Sequence, residues 1–371
     1  MKNIPGKLML FFSPFFLALC LELFVLPIDV FTFRVWEALN VRKFRSFLPG
    51  EFYPNREIVK VEEGDLAHHT PYAVKRQAIW ITDRHGYRKR NTDRTRHEVV
   101  IIGDSLIAGS GLTQEEMLSE VLEARLGLSV YPYAPEDVKT FLRDFRFRDH
   151  PPDVVILGVA ERFIEGLREI KNPLLRGWIS EKITAEGLGD RWKRYWKESR
   201  LVQEVGVLLD RLWKRNMLEY LRASLRRGIV SVRRGGKSVS SEHRPISFLQ
   251  GAAYQGKDSR DEVTRAAEVV KGYDELFRNS GIRFVFLPIP EKESMYYERL
   301  GITKPLFLER LTEELEARGV ETVELQRAFE RAFQKGMLLY RPDDTHWNEN
   351  GVRIAAELLA ERVSEKRGGV N

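Results

Sequence analysis

Two segments of the chain carry residue types suited to acyl chemistry. The first is "HEVVIIGDSLIAGSG", His97 to Gly111, an apolar strand pattern that runs into Gly-Asp-Ser and a glycine-punctuated turn. A serine just past the C-terminal end of a strand sits where open α/β sheets place their ligands. The N–H of Ser105, at the mouth of that turn, can face a developing oxyanion. Gly103, Gly109 and Gly111 permit close backbone approach there. Taken alone, Gly-Asp-Ser after a strand is more often just a turn, with Asp104 capping the next segment. A serine nucleophile also needs a base and a group that orients the base. The second segment, "RPDDTHWNENGVRIAAELLAERV" from Arg341, offers both, with Asp343 and Asp344 just ahead of His346. An acid two or three residues before a histidine on a loop can curl back to one imidazole nitrogen, leaving the other for a hydroxyl. The plainer alternative is a capped helix start with an exposed histidine.

The elements that would position these residues are read from periodicity. "EVVIIG" has strand length, and "TQEEMLSEVLEARLG" reads as a helix capped by Thr113 and ended by Gly127. "LSVYPYA" is a second strand, "EDVKTFLRDFRFRDH" a helix and "PDVVILGVA" a third strand. Strand–helix–strand–helix–strand implies a parallel sheet with helices on its faces. Residues 171–230 are helix-like and rich in Trp, Arg and Lys, and 231–260 read as a Ser/Gly/basic loop. The αβ pattern resumes with a helix near 261–279, the strand "RFVFLPI", a helix near 305–318, the short strand "ETVEL", another helix, and a final helix over about 350–365. The expected organisation is thus a segment 1–30, an extension 31–96, and an α/β domain 97–365 with a helical insertion at about 171–260.

Composition bounds the setting. The chain has 371 residues, 43% of them apolar, and a net charge of +6. That charge suits nucleic acid, a membrane surface or an acidic polymer and selects none of them. Cys20 is the sole cysteine, so no internal disulfide and no cysteine metal site can form. Leu8 to Ile28 reads "LMLFFSPFFLALCLELFVLPI", close to the ~20 residues a helix needs to cross a bilayer. Glu22 and Pro14 interrupt it, and Lys2 and Lys7 precede it, as in a signal anchor. The expectation is an uncleaved transmembrane helix with the domain outside the cytoplasm.

"GDSL" near the start of the domain and Asp-x-x-His near its end together resemble the GDSL, or SGNH, hydrolase superfamily. The resemblance covers roughly residues 80–365 and implies an α/β fold, a three-layer α/β/α sandwich around a central parallel sheet. It implies Ser105 as nucleophile and His346 as general base. "VAERF" (Val159–Phe163), "LPIPEKESMYYERLG" (Leu287–Gly301) and "DTHWN" (Asp344–Asn348) look like the alginate O-acetyltransferase, AlgX/AlgJ-type, branch of that superfamily. In that branch the orienting acid lies two residues before the histidine, at Asp344. In the wider superfamily it lies three before, at Asp343. The chain departs from the pattern in three places. Ala134 stands near the position of an oxyanion glycine, Ala160 stands where an oxyanion asparagine belongs, and the Ser-then-Asp-His order is the reverse of the alginate enzymes. A missing oxyanion donor typically costs ~10²–10³ in rate.

The function implied is a membrane-anchored O-acyltransferase, specifically an O-acetyltransferase, acting on a bacterial exopolysaccharide or surface glycan, with the domain periplasmic. A membrane-bound O-acyltransferase is the implied acyl source, because acetyl-CoA is lacking across the membrane. A carbohydrate or lipid esterase with the same residues and a non-catalytic polysaccharide-binding protein stay open. No cofactor, metal or nucleic acid is called for. Lys292 either holds a carboxylate of an acidic sugar or is a solvated loop lysine. Arg162 either forms a local ion pair with Glu161 that shapes the pocket floor or serves structure alone. Trp178, Trp192, Trp196 and Trp213 either stack on sugars or pack a helical cap. His68 and His69 lack an acid at ligand spacing.

Overall fold

The computed structural model describes residues 4–171, 195–222, 239–241, 244–249 and 259–365. Its centre is a parallel sheet of β3 (Val99–Gly103), β4 (Val130–Tyr133), β5 (Val154–Ala160) and β8 (Arg283–Ile289), in the order β4-β3-β5-β8. The register runs Val99 to Val130, Val99 to Val154 and Val154 to Arg283. These strands are apolar at nearly every position because both faces are covered.

Side chains alternate between the faces. Val99, Ile101, Ile156, Val285 and Leu287 point into one core, shared with Leu118 and Leu122 of the helix Leu118–Leu126 and with Val352, Ala355 and Leu359 of the helix Glu349–Glu365. Val100, Ile102, Val155, Leu157, Phe284 and Phe286 point the other way, against Ala267, Val270 and Phe277 of Arg260–Asn279 and Leu311 and Leu315 of Phe307–Ala317. The result is the expected layering of helix, sheet and helix. Each fully buried Leu, Ile or Phe contributes about 1.5–3 kcal/mol.

Local differences have local causes. The helix expected over "TQEEMLSEVLEARLG" opens as a 3₁₀ turn, Gln114–Glu116, closed by a capping box between Thr113 and Glu116, and ends at Gly127 in the left-handed conformation. "EDVKTFLRDFRFRDH" divides into Val138–Phe141 and Phe145–Asp149, because Asp137 and Asp144 each cap a new N-terminus. "ETVEL" contributes only a bridge from Thr322 to Phe286.

The extension, which has no readable period, builds a hairpin from β1 (Glu57–Glu62) and β2 (Arg76–Ile81) beside a short helix, Val35–Leu39. Phe52 and Trp80 are fully buried and meet edge-on with Trp36, in the same core cluster as Ile101 and Ile156.

The N-terminal expectation changes. Ile4–Cys20 is an α-helix, Leu21–Val25 a π turn, and Leu26 is extended. Leu26 precedes Pro27, which disfavours helix at that residue. Glu22 is buried, and its carboxylate accepts the Met217 N–H at 3.1 Å. The helical run from Ile4 thus ends at Val25, before Ile28, with its last turn in π form. Among the described residues no helix is long and apolar enough to cross a membrane.

Much of the expected insertion, with Trp178 and Trp192, lies outside the described residues. Its described parts include the helix Arg200–Lys214 and the hairpin of β6 (Val239–Ser241) and β7 (Arg244–Ile246). That helix buries its polar side. Asp210 accepts N–H bonds from Arg42, Lys43 and Phe44 and the Tyr53 hydroxyl at 2.7 Å. Leu201, Val205, Leu212 and Trp213 face outward. Trp196 and Trp213 are exposed, so neither packs a cap.

Candidate active site

The turn after β3 is held from two sides. Asp104 Oδ1 accepts the Leu106 N–H at 2.8 Å, and Oδ2 accepts the Ala160 N–H from the end of β5 at 2.9 Å. The chain then folds back so that Ile107 lies over Gly103 and Gly158. A Cβ on Gly103 would stand 2.4 Å from both Ile107 Cγ1 and the Gly158 carbonyl. Only glycine allows that return, which leaves Ser105 at the strand end.

The loop between Tyr340 and Trp347 delivers the histidine to it. His346 Nε2 lies 2.9 Å from Ser105 Oγ, and Nδ1 lies 2.6 Å from Asp344 Oδ1. With Nδ1 carrying its proton toward Asp344, Nε2 is left to accept from the serine hydroxyl. Asp344 is fully buried, and also accepts the His346 N–H at 3.1 Å and Arg76 Nη2 at 2.8 Å. Burial alone would raise its pKa. His346, Arg76 and Arg34 outweigh that and hold it well below the ordinary carboxylate range.

Asp343 bonds elsewhere. Its Oδ2 accepts the N–H groups of Gly64 at 2.9 Å and Val74 at 2.8 Å. This ties the histidine loop to the extension. A Cβ on Gly64 would come within 2.1 Å of the Asp343 carbonyl, so the approach requires glycine.

Lys292 meets neither expectation. It is buried, and its ammonium donates to the carbonyls of Ser247, Arg341, Pro342 and Asp344 at 2.7–3.1 Å. It props the histidine loop from beneath and is closed to a sugar carboxylate. Burial lowers its pKa to about 8, against the pull of Glu293 and Asp344. Arg162 pairs with Glu291 rather than with Glu161, which instead accepts the Glu291 N–H.

The oxyanion side is altered too. The Ala160 N–H is committed to Asp104, so it is no oxyanion donor. Ala134 is a core residue at the end of β4. Among the described residues the Ser105 N–H meets no acceptor, which leaves it free for an oxyanion.

Three further side chains line this site, all from the extension. Arg76 spans it, with Nε on the Gly111 carbonyl at 3.0 Å and Nη2 on Asp344. Asp65 binds Thr345, and Arg34 lies 3.6 Å from Asp65. Charges in a stretch without period gave no signal for them. Asp65, Asp344 and His346 present three metal-type donor atoms within 4.8 Å of one another. Arg34 and Arg76 already neutralise those carboxylates, and the 2.6 Å contact is a hydrogen bond. His68 stacks on Phe33 with centroids 4.1 Å apart and so packs the extension.

An α/β/α sandwich with a serine, a histidine and a buried carboxylate in hydrogen-bond sequence at a strand end defines the class structurally, α/β proteins with a Ser-His-Asp constellation at the edge of a parallel sheet. Comparison with known proteins refines it. Residues 248–370 match the family model of the SGNH hydrolase-like domain, acetyltransferase AlgX. That stretch includes Asp344 and His346, while Ser105 precedes it. The chain is 30% identical over 139 residues to a probable alginate O-acetylase AlgJ of Pseudomonas putida, covering 34% of this chain and 36% of the relative. It is 29% identical over 103 residues to the AlgJ of Pseudomonas fluorescens, covering 26% of each. The chain thus spans about a quarter to a third of the length of these relatives. No solved structure gives a significant match. Over its C-terminal third this chain is similar to the SGNH, AlgX/AlgJ-like family.

Proposed function

We propose that the protein is an SGNH-type O-acyltransferase that acetylates a polysaccharide through Ser105, His346 and Asp344. The observation that carries this is the continuous hydrogen-bond chain from Ser105 Oγ through both imidazole nitrogens to Asp344. The names of the relatives supply the substrate class.

Ser105 Oγ attacks the carbonyl carbon of an acyl donor, and its proton passes to His346 Nε2. The donor's acyl–oxygen bond breaks, and Nε2 returns the proton to the leaving oxygen. A sugar hydroxyl then attacks the acyl-serine, giving its proton to Nε2, and the serine leaves as it regains that proton. Asp344 stabilises the imidazolium formed in each half. The Ser105 N–H faces the developing oxyanion.

The reading extends to location. Phe11, Phe12, Phe15 and Phe16 of the first helix are exposed. The helix Arg200–Lys214 turns Leu201, Val205, Leu212 and Trp213 outward. Arg211 of that helix holds the Leu23 carbonyl at 2.9 Å, which ties it to the turn that ends the first helix, where Phe24 and Val25 are exposed. Such a surface suits lipid contact. We place the domain on the outer side of a bacterial inner membrane, taking its acyl group from a membrane-bound O-acyltransferase.

Incubating the protein with an acetyl ester, with and without an acceptor glycan, tests the reading. Acetylated glycan from the wild type and none from Ser105→Ala is expected. Free acetate as the sole product would make the protein an esterase.

A further inference from the structure

The imidazole of His346 faces a second carboxylate. Asp65 Oδ2 lies 3.7 Å from Nδ1, behind the 2.6 Å contact of Asp344. Asp65 is fixed there. Its Oδ1 accepts the Thr345 N–H at 2.8 Å, and Oδ2 accepts the Thr345 hydroxyl at 2.6 Å. Its own N–H reaches Asp344 Oδ2 at 3.3 Å.

The charges around the ring explain why a second acid matters. From the histidine's own loop come Asp344 and, turned away, Asp343. Asp104, next to Ser105 on the turn after β3, adds a negative charge whose oxygens are held by the Leu106 and Ala160 N–H groups. Opposing them are Arg76 of β2 on Asp344, Arg34 near Asp65, and the Lys292 ammonium on the Asp344 carbonyl. Asp344 shares its charge with Arg76. One carboxylate divided between a guanidinium and an imidazolium leaves the imidazolium undercompensated.

We propose that Asp65 is a positioning residue that clamps Thr345 and supplies the second negative charge favouring the His346 imidazolium. This rests on the reading of His346 as the base. The extension would thereby set the basicity of a residue at the far end of the chain.

The test is an NMR titration of the His346 ring in the full chain, with ¹³C-labelled histidine and the signal assigned by His346→Gln. It needs no substrate. In Asp65→Asn the midpoint falls by about 0.5–1 pH unit, since an acid within a few ångströms favours the charged ring. Asp65→Glu, which keeps the charge, restores most of that fall. Arg34→Gln removes the opposing cation and moves the midpoint upward, so the proposal stays testable if Asp65→Asn does not fold. An unchanged midpoint in Asp65→Asn overturns the proposal, even if activity falls. If the midpoint moves as expected while Ser105→Ala still acetylates glycan, the reaction reading fails and the charge assignment stands.

Discussion

Arg76 Nη2 lies 2.8 Å from Asp344 Oδ2, while its Nε holds the Gly111 carbonyl at 3.0 Å. One guanidinium from the extension thus joins the turn that follows Ser105 to the acid behind His346. Arg76→Met leaves a buried carboxylate short of its cation. We expect a stability loss of about 3–5 kcal/mol, the cost of breaking a buried pair from one side. Urea unfolding measures it. Arg76→Lys, which cannot span both partners, recovers little.

Asp343 and Asp344 are neighbours with different work. Asp344→Asn removes the charge behind the imidazole and favours the wrong tautomer, so kcat falls by up to ~10⁴. Asp343→Asn keeps an acceptor for Gly64 or Val74 and lies off the ring, so its loss is far smaller. Steady-state kinetics on an acetyl ester separates the two. Equal losses would remove the distinction.

Gly64→Ala tests the contact between extension and histidine loop. The added Cβ meets the Asp343 carbonyl at 2.1 Å, so one backbone must move. A displacement of about 1 Å at the acid–histidine loop costs on the order of 10² in kcat. Activity close to wild type would show that the loop tolerates the shift.

Lys292 gives a pH signature. Its native pKa, lowered to about 8 by burial, lies below the unfolded value of about 10.4. The unfolded chain therefore holds more protons between those values, and stability from this group rises with pH across the window. The cost of burying the ammonium is fully present below about pH 8 and fades toward pH 10.4. Lys292→Met lacks the titration. The stability of the wild type relative to Lys292→Met should grow by about 3 kcal/mol from pH 7 to 10.5. A flat difference contradicts the shifted lysine.

The sheet was legible because β3, β5 and β8 are short apolar runs bounded by turn residues, a pattern that needs no tertiary information. Ser105 and His346 were legible as a pair, since each completes the chemistry of the other. The support around them was not. Lys292 reads as a loop lysine until four carbonyls converge on it. Asp65 and Arg76 lie in a stretch whose hairpin alternates too weakly to announce itself, and they reach the site through folding alone. Ala160 shows the same limit. Its position marked it as an oxyanion candidate, but the Asp104 carboxylate takes its N–H.

The central claim is that Ser105 carries the acyl group. The most direct measurement is mass spectrometry of the peptide containing Ser105 after brief exposure of the full chain to an acetyl ester. We predict an acetyl group on Ser105 that accumulates without acceptor, discharges when glycan is added, and is absent in His346→Ala. Glycan acetylation that proceeds while Ser105 stays unmodified, or survives Ser105→Ala, would contradict the account.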